Sequence, residues 1–380
     1  MILGLLIATC LAQQVGHPLP GWMPGTLDIH QINTGRGNSA LFILPDGTSM
    51  LVDAGDIGST LTRGPAPKPD GARPPGEYIA RYVRHMLARD SSPALDYGYL
   101  THFHDDHMSA FGKVGEFVPI KKIIDRGWPT YDYPGPVKGV EDFRAFLKRD
   151  RMPVERLKPG RNDQIVLKRE PGKYPNFEVR NIAANGEVWT GVGTNTRMHH
   201  PRIADLKPDE YPTENMCSMV IRISYGKFDF YTGGDIPGAH RDWAPLWNDM
   251  ETPVAQAVGP VEAMLANHHG NRDSQNGFFL SSLQPQVILI NVWSPDHPGH
   301  DVLERMLSTK LYPGPRDIFA TNMMSANRTV IGPALDRLKS SQGHIVLRVA
   351  PGGDTFQVII LNDGNEEYRV KSVHGPYTSR

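Results

Sequence analysis

The stretch Leu100-Thr101-His102-Phe103-His104-Asp105-Asp106-His107-Met108 restricts this chain more than any other. Three imidazoles and two carboxylates stand within six positions, directly after an apolar run. Imidazole nitrogen and carboxylate oxygen are the ligands that suit zinc, manganese and iron. His102 and His104 are two apart, so an extended backbone points both the same way. A turn after them brings Asp106 and His107 to a neighbouring point, roughly 3.5–4 Å away in two-metal hydrolases. With 15 His in 380 residues, such crowding is not the scatter of a polar surface loop. One loop cannot complete a dinuclear site, so the fold must bring further ligands from the ends of later strands.

Composition bounds the rest. The chain is 39% hydrophobic and 21% charged, enough for a sizeable core. With 40 basic against 41 acidic residues, no global field favours nucleic acid, membrane or anionic substrates. The 38 Gly and 33 Pro predict many turns and shaped loops, which fit a loop-built site better than a helical bundle. Residues 1–12 (MILGLLIATCLA) read as the apolar core and cleavage site of an export signal, although the usual positive start is missing. The expected location is therefore periplasmic or extracellular, and cytoplasmic if the segment is retained. Its removal leaves Cys217 as the one thiol, with no intramolecular disulfide. No other stretch suggests a membrane span, and no protein partner is evident.

Along the chain, Leu27 to Asn33 alternates as a strand. Ala40 to Leu44 and Met50 to Asp53 form a hairpin around Pro45-Asp46-Gly47-Thr48. Ile79, Tyr82, Val83, Met86 and Leu87 make a helical stripe, and Tyr97 to Leu100 is the strand delivering the metal loop. Ile120 to Asp125 is extended, Val140 to Lys148 helical, and Gln164 to Leu167 and Phe177 to Ala183 extended. Met219 to Ser224 and Phe228 to Thr232 form a second hairpin. Strands follow near Val261 to Ala266, Gln286 to Val292, Ile318 to Thr321, Ile345 to Val349 and Phe356 to Leu361, with a helix at Asp301 to Leu307.

Three strand ends carry further chemistry. Val52-Asp53-Ala54-Gly55 closes the first hairpin and, taken alone, is a turn at a strand end. Asp235 follows an apolar strand and Gly233-Gly234. His268-His269-Gly270 follows the strand ending at Ala266.

Taken in order, Asp53-Ala54-Gly55, His102 to His107, Asn215-Met216-Cys217-Ser218, Gly234-Asp235 and His268-His269-Gly270 resemble the metallo-β-lactamase superfamily, whose hallmark is His-x-His-x-Asp-His. They are most similar to the domain attached to the bacterial DNA-uptake channel protein ComEC and its stand-alone relatives. The resemblance covers roughly residues 27–350, weakly over 126–214. It implies an α+β fold, a four-layer αββα sandwich. The expected organisation is one domain over 27–362, an insert at about 126–214 acting as lid or specificity wall, and a tail over 363–380.

The resemblance also implies two divalent metal ions, zinc first and manganese as the alternative. The implied ligands are His102, His104, Asp106, His107, Asp235 as the bridging carboxylate, and His268, with His269 as a bracing residue or as the ligand one position on; Asp53 is implied to brace the ligand histidines, whose second ring nitrogen must be held. One departure stands out. The wider superfamily has a third-motif His before Gly-Asp, and here that place reads Glu214-Asn215-Met216-Cys217-Ser218. The Asn215 amide, the Cys217 thiolate or His199 or His200 from the insert are the alternative ligands.

The chemistry implied is hydrolysis by a metal-activated hydroxide, because a bound dication lowers the pKa of water from 15.7 to about 7. Asp106 would orient the nucleophile, and His297 or His300 would supply the leaving group's proton. The expected substrate is a phosphodiester, small or in nucleic acid. A lactone, β-lactam or other carboxylic ester is the rival, and a catalytically impaired metal-binding module is the third reading.

Overall fold

The structure, a computed structural model, describes residues 13–58, 64–127, 138–238 and 244–380. The expected export signal at 1–12 lies outside the described residues. The chain opens with β1 (Leu27–Gln31), β2 (Ser39–Ile43) and β3 (Ser49–Ala54) as an antiparallel meander. The hairpin turns where expected, with Asp46 Oδ1 accepting Thr48 N–H at 2.8 Å and Gly47 at φ 84°. Three parallel crossovers follow. Helix α1 (Pro75–Met86) leads to β4 (Tyr97–Tyr99). Helices α2 (Asp105–Met108) and α3 (Phe111–Phe117) lead to β5 (Ile123–Asp125), and α4 (Lys138–Arg149) leads to β6 (Val154–Arg156).

The second sheet repeats this plan. Strands β7 (Phe177–Ala184), β8 (Glu187–Trp189), β9 (Thr196–Met198), β10 (Val220–Tyr225) and β11 (Phe228–Thr232) pair antiparallel. Helix α5 (Glu251–Val258), β12 (Ala263–Leu265), α6 (Gly277–Leu283), β13 (Val287–Ile290), α7 (His300–Leu307), β14 (Asp317–Ala320) and α8 (Ser325–Ile331) then alternate, the strands parallel. Finally β15 (His344–Val349), β16 (Thr355–Leu361) and β17 (Val370–Thr378) return to the first sheet beside β1. Among the described residues the sheets run β17-β16-β15-β1-β2-β3-β4-β5-β6 and β14-β13-β12-β11-β10-β7-β8-β9.

Side-chain alternation sorts these strands into layers. Ala40, Phe42, Met50 and Val52 point into a core shared with Ile221, Ile223, Phe228 and Phe230 of the other sheet, and Phe42 meets Phe230 edge to face. The intervening Leu41, Ile43 and Leu51 pack outward on Ile79 and Val83 of α1, Phe111 of α3 and Phe143 of α4. On the far side, Val220, Tyr231, Met264 and Ile288 pack on Val254 of α5, Phe279 of α6 and Leu303 of α7. Three apolar interfaces between four layers make an αββα sandwich.

Several sequence expectations meet a different outcome. The 126–214 stretch is woven into both sheets, supplying α4, edge strand β6 and strands β7 to β9, with β7 paired to β10. The 363–380 stretch is no loose tail, because β17 pairs antiparallel with β16. Gln164 to Leu167 does bury Ile165 and Leu167 in the inter-sheet core, yet it joins no ladder. Its backbone is satisfied by a side chain instead, Val166 N–H and C=O both bonding the Tyr97 hydroxyl at 3.1 Å. Among the described residues no helix is long and apolar enough to cross a membrane.

The crossovers set the position of the site. In a run of parallel strands all carboxyl ends face one edge, and ligands bind beyond that edge. The loops after β3, β4, β11, β12 and β13 gather there.

Candidate metal centre

The centre is assembled around the end of β3. Asp53 is fully buried and sits in the left-handed region at φ 58°. Its Oδ1 accepts Thr101 N–H at 2.8 Å; its Oδ2 accepts the Thr101 hydroxyl at 2.9 Å, Asn38 Nδ2 at 2.9 Å and His107 Nδ1 at 2.7 Å. One carboxylate thus ties β3 to the metal loop at two residues, Thr101 and His107, and to Asn38 before β2. Gly55 explains the remainder of the Asp-x-Gly signature. A Cβ there would lie 1.8 Å from the Asp106 carbonyl oxygen, which accepts Asn38 N–H at 2.7 Å. Only glycine lets the two backbones come so close.

After β4 the chain stays extended through His102 and His104, then coils into α2. His104 is the residue before the helix, and its carbonyl accepts the N–H groups of His107 and Met108 at 3.0 and 2.9 Å. This change from extended to helical backbone separates the His102/His104 pair from Asp106 and His107. Phe103 N–H donates to Glu214 Oε1 at 2.8 Å, and Glu214 forms a buried bidentate pair with Arg126 at 2.7 and 2.6 Å. The start and the end of the 126–214 stretch therefore clamp the loop between its two histidines.

Asp235 arrives three residues beyond β11. Gly234, at φ 55°, passes Thr101 and Ser218 so closely that a Cβ would meet theirs at 2.9 and 3.1 Å. Asp235 Oδ1 lies 3.3 Å from His107 Nε2, and Oδ2 lies 3.7 Å from His102 Nε2 and 3.6 Å from His269 Nε2. Two groups result, each with ligand atoms within 4.8 Å of one another: His102, His104 and Asp235, and Asp106, His107, Asp235 and His269. Asp235 belongs to both.

The last loop differs from the expectation by one position. His268 and His269 both adopt left-handed backbone (φ 45° and 54°), so successive side chains diverge. It is His269 whose Nε2 reaches Asp106 Oδ2 at 3.1 Å and His107 Nε2 at 3.2 Å. His268 stands at the margin, 3.8 Å from Asp235 Oδ2, with Nδ1 on Asp273 Oδ1 at 2.6 Å. The left-handed pair is held by Glu251, a buried carboxylate that sequence reasoning missed. Its Oε1 accepts Asn267 Nδ2 and Gln275 N–H, and its Oε2 accepts Asn276 N–H, each at 2.7 Å.

The electrostatics are those of a site that demands positive charge. Asp106 is buried, which alone would raise its pKa, yet His107 and His269 hold it well below the usual range. Asp235 is lowered likewise against its burial, by His107, His269, His268 and His102. His107 is buried but pushed well above 6.5 by Asp235, Asp106 and Asp53. For His268 burial is again outweighed, here by Asp235 and Asp273, which lift it to about 9. Burial dominates at His102 and lowers it well below 6.5.

The donor set fits divalent cations. Three of the rings turned into the cluster have their other nitrogen engaged: His102 Nδ1 on the Thr101 hydroxyl at 3.1 Å, His107 Nδ1 on Asp53 at 2.7 Å, and His269 Nδ1 on the Asn291 carbonyl at 3.0 Å. Such outer bonds fix the tautomer and leave the inner lone pair free for a metal. At the place of the absent third-motif His, Asn215 Nδ2 lies 3.4 Å from His268 Nε2, and its buried Oδ1 has no hydrogen-bond partner among the described residues. A buried amide oxygen without a donor is costly unless something cationic faces it.

Other expected residues are placed as follows. Cys217 is buried, and its thiol joins neither group. His199 and His200 pack together, and His200 Nε2 lies 3.1 Å from Met250 Sδ, outside both groups. His297 is brought to the site: it is 2% exposed and stacks on His269 at 4.6 Å with an interplanar angle of 16°. Burial, then the neighbouring His269 and His268, lower its pKa well below 6.5. His300 is not brought there. It is half-exposed at the start of α7, with Nε2 3.5 Å from Glu304. A Trp that the sequence reading passed over, Trp293, donates its indole N–H to His269 Nε2 at 3.2 Å.

Four layers, parallel runs in both sheets and a His/Asp centre beyond their carboxyl ends decide the architecture. The fold is a metallo-β-lactamase-like sandwich. No protein-family model matches the chain. A stretch of 182 residues, 43% of the chain, is 24% identical to Recombination protein 2 of Haemophilus influenzae, and the match spans only 21% of that protein. Among solved structures the chain is similar to a protein from Parabacteroides distasonis described as a metal-dependent hydrolase (12% identity, 78% of this chain and 94% of that one, TM-score 0.41). It is also similar to Igni18, a metallo hydrolase from Ignicoccus hospitalis (9% identity, 84% and 98% covered, TM-score 0.38). A third is the metallo-β-lactamase SMB-1 (12% identity, 86% and 96% covered, TM-score 0.33).

Proposed function

We propose that this protein is a dinuclear metal-dependent hydrolase of phosphodiesters. The observation that carries the reading is Asp235, a single buried carboxylate shared by two His/Asp groups. His102, His104 and Asp235, with the Asn215 amide oxygen, would hold one divalent cation; Asp106, His107, His269 and Asp235 would hold the other. Such a pair supplies activation of water and stabilisation of the charge that develops on the attacked group. Zinc and manganese both suit imidazole, and the oxygen donors at the Asn215 side favour manganese more than a third His would.

The chain's own residues do the rest. Asp53 and Asn291 hold the rings of His107 and His269, and Glu214 fixes the backbone between His102 and His104. Asp106 directs Oδ2 into the space between His107 and His269 and is the residue placed to orient the nucleophile. Of the two histidines expected near the leaving group, His297 lines the cavity beside the centre. A phosphodiester is favoured over a carboxylic ester because two cations held on either side of the shared Asp235 carboxylate would suit in-line displacement at phosphorus. The partial likeness to a recombination protein points the same way.

Colour release from bis-p-nitrophenyl phosphate by the zinc- or manganese-loaded full chain, against a panel of lactones and β-lactams, tests this reading. Activity confined to the panel would replace it with the carboxylic-ester reading. D235N should lower bound metal from about two ions per chain to below one and abolish turnover. Undiminished metal content in that variant would remove the dinuclear assignment.

A further inference from the structure

A cavity of about 220 Å³ opens beside the centre, with His268 on the side of the cluster. Its apolar walls are Ile57 and Trp293. Asn271, Ser294 and Asp296 form a polar rim, with Asp296 half-exposed. No Lys or Arg lines it among the described residues. For scale, an apolar cavity of roughly 150 Å³ holds one benzene molecule. This space is therefore of a size to take one substituted ring.

The walls are fixed in place rather than adaptable. The Trp293 ring meets His297 edge to face at 5.0 Å and His269 at 5.8 Å, and His297 in turn stacks on His269. The His297 carbonyl is held by Asn327 Nδ2 at 3.1 Å. A preformed aromatic wall gives stacking energy at little entropic cost.

Resting on the hydrolase reading above, we propose that this cavity receives a single planar ring next to the scissile ester, and that Trp293 selects it. The ring is either an aryl group or a nucleobase; both present the same flat face and differ in their hydrogen-bonding edges.

Indole N–H resonances of the full chain labelled with ¹⁵N-tryptophan provide a test that needs no turnover. The Trp293 signal is identified by its absence in W293F, and phenol, thymine and cyclohexanol are titrated in turn. Phenol or thymine should move the Trp293 signal, and cyclohexanol should not; which ring acts at the lower concentration names the source. Equal response to cyclohexanol, or no response to either ring, overturns the proposal. In the metal-loaded enzyme, W293A should raise KM for bis-p-nitrophenyl phosphate about tenfold, more than it changes kcat, and W293F should restore most of the loss. A fall confined to kcat, or no rescue by Phe, also overturns it. Failure of the wild-type enzyme to cleave any phosphodiester would instead sink the hydrolase reading, with the indole titration still deciding whether the cavity binds rings.

Discussion

Replacing Glu251 by Gln tests how the last loop is held. The wild-type carboxyl is raised from 4.5 to about 7, burial being the largest cause, opposed by Asn267, Gln275 and Asn276 and reinforced by Asp249. Between those two values the native state keeps a proton that the unfolded chain has released, so stability must fall as pH rises through that window. At 1.36 kcal/mol per unit the total loss is about 3 kcal/mol. E251Q carries no such charge. Its amide oxygen still serves Asn267 Nδ2 and Gln275 N–H, while its NH₂ group confronts Asn276 N–H, a mismatch costing roughly 1–3 kcal/mol. The variant should therefore be the less stable protein at pH 5, and the gap should close or reverse by pH 8. Urea unfolding in the presence of a chelator, followed by circular dichroism, measures the difference without metal linkage. A wild-type-minus-variant difference that stays flat from pH 5 to 8 would refute the reasoning, whatever its size.

Three further outcomes follow from the same geometry. Gly55→Ala places a Cβ against the Asp106 backbone, which has no flexible side chain to yield, so thermal unfolding should show a loss of about 3 kcal/mol or more together with weakened metal binding. Asp53→Asn removes the charged acceptor of His107 Nδ1–H, and chelator competition should show metal affinity reduced about 10–100-fold; a change below about threefold would mean that Asp53 does not orient the ligand. Arg348→Met strips the buried Asp28 carboxylate, held at about 2, of its bidentate partner, and denaturant midpoints should show a cost of roughly 3–5 kcal/mol at neutral pH. In the wild type that carboxylate's contribution is complete above pH 3.8 and is lost as pH falls towards 2, so acid should narrow the gap between the two proteins.

What could be read from the residues, and what could not, divides along a physical line. His102, His104, Asp106 and His107 announce themselves because one strand end and one helical turn carry all four, so local spacing is nearly the whole of their geometry. Asp53 and Asp235 are legible for a related reason: each ends an apolar strand beside a glycine, where parallel topology gathers ligands. The choice between His268 and His269 is different in kind. It turns on two consecutive left-handed residues, a conformation that side chains disfavour and that Glu251, 17 and 18 positions earlier, imposes from the next layer. Likewise Arg126 and Glu214 hold the metal loop from 88 positions apart, and neither stands in a pattern that marks it. The edge strands β6 and β9, and β8 next to β9, are short and partly polar, so ladder pairing rather than periodicity defines them. Ligands were therefore visible where chemistry and local backbone coincide, and the residues that orient them were hidden where only the packed sandwich brings donor and acceptor together. His297 and His300 show this most plainly: three positions apart and chemically alike, one is stacked on His269 and the other turned to solvent, because α7 begins at His300.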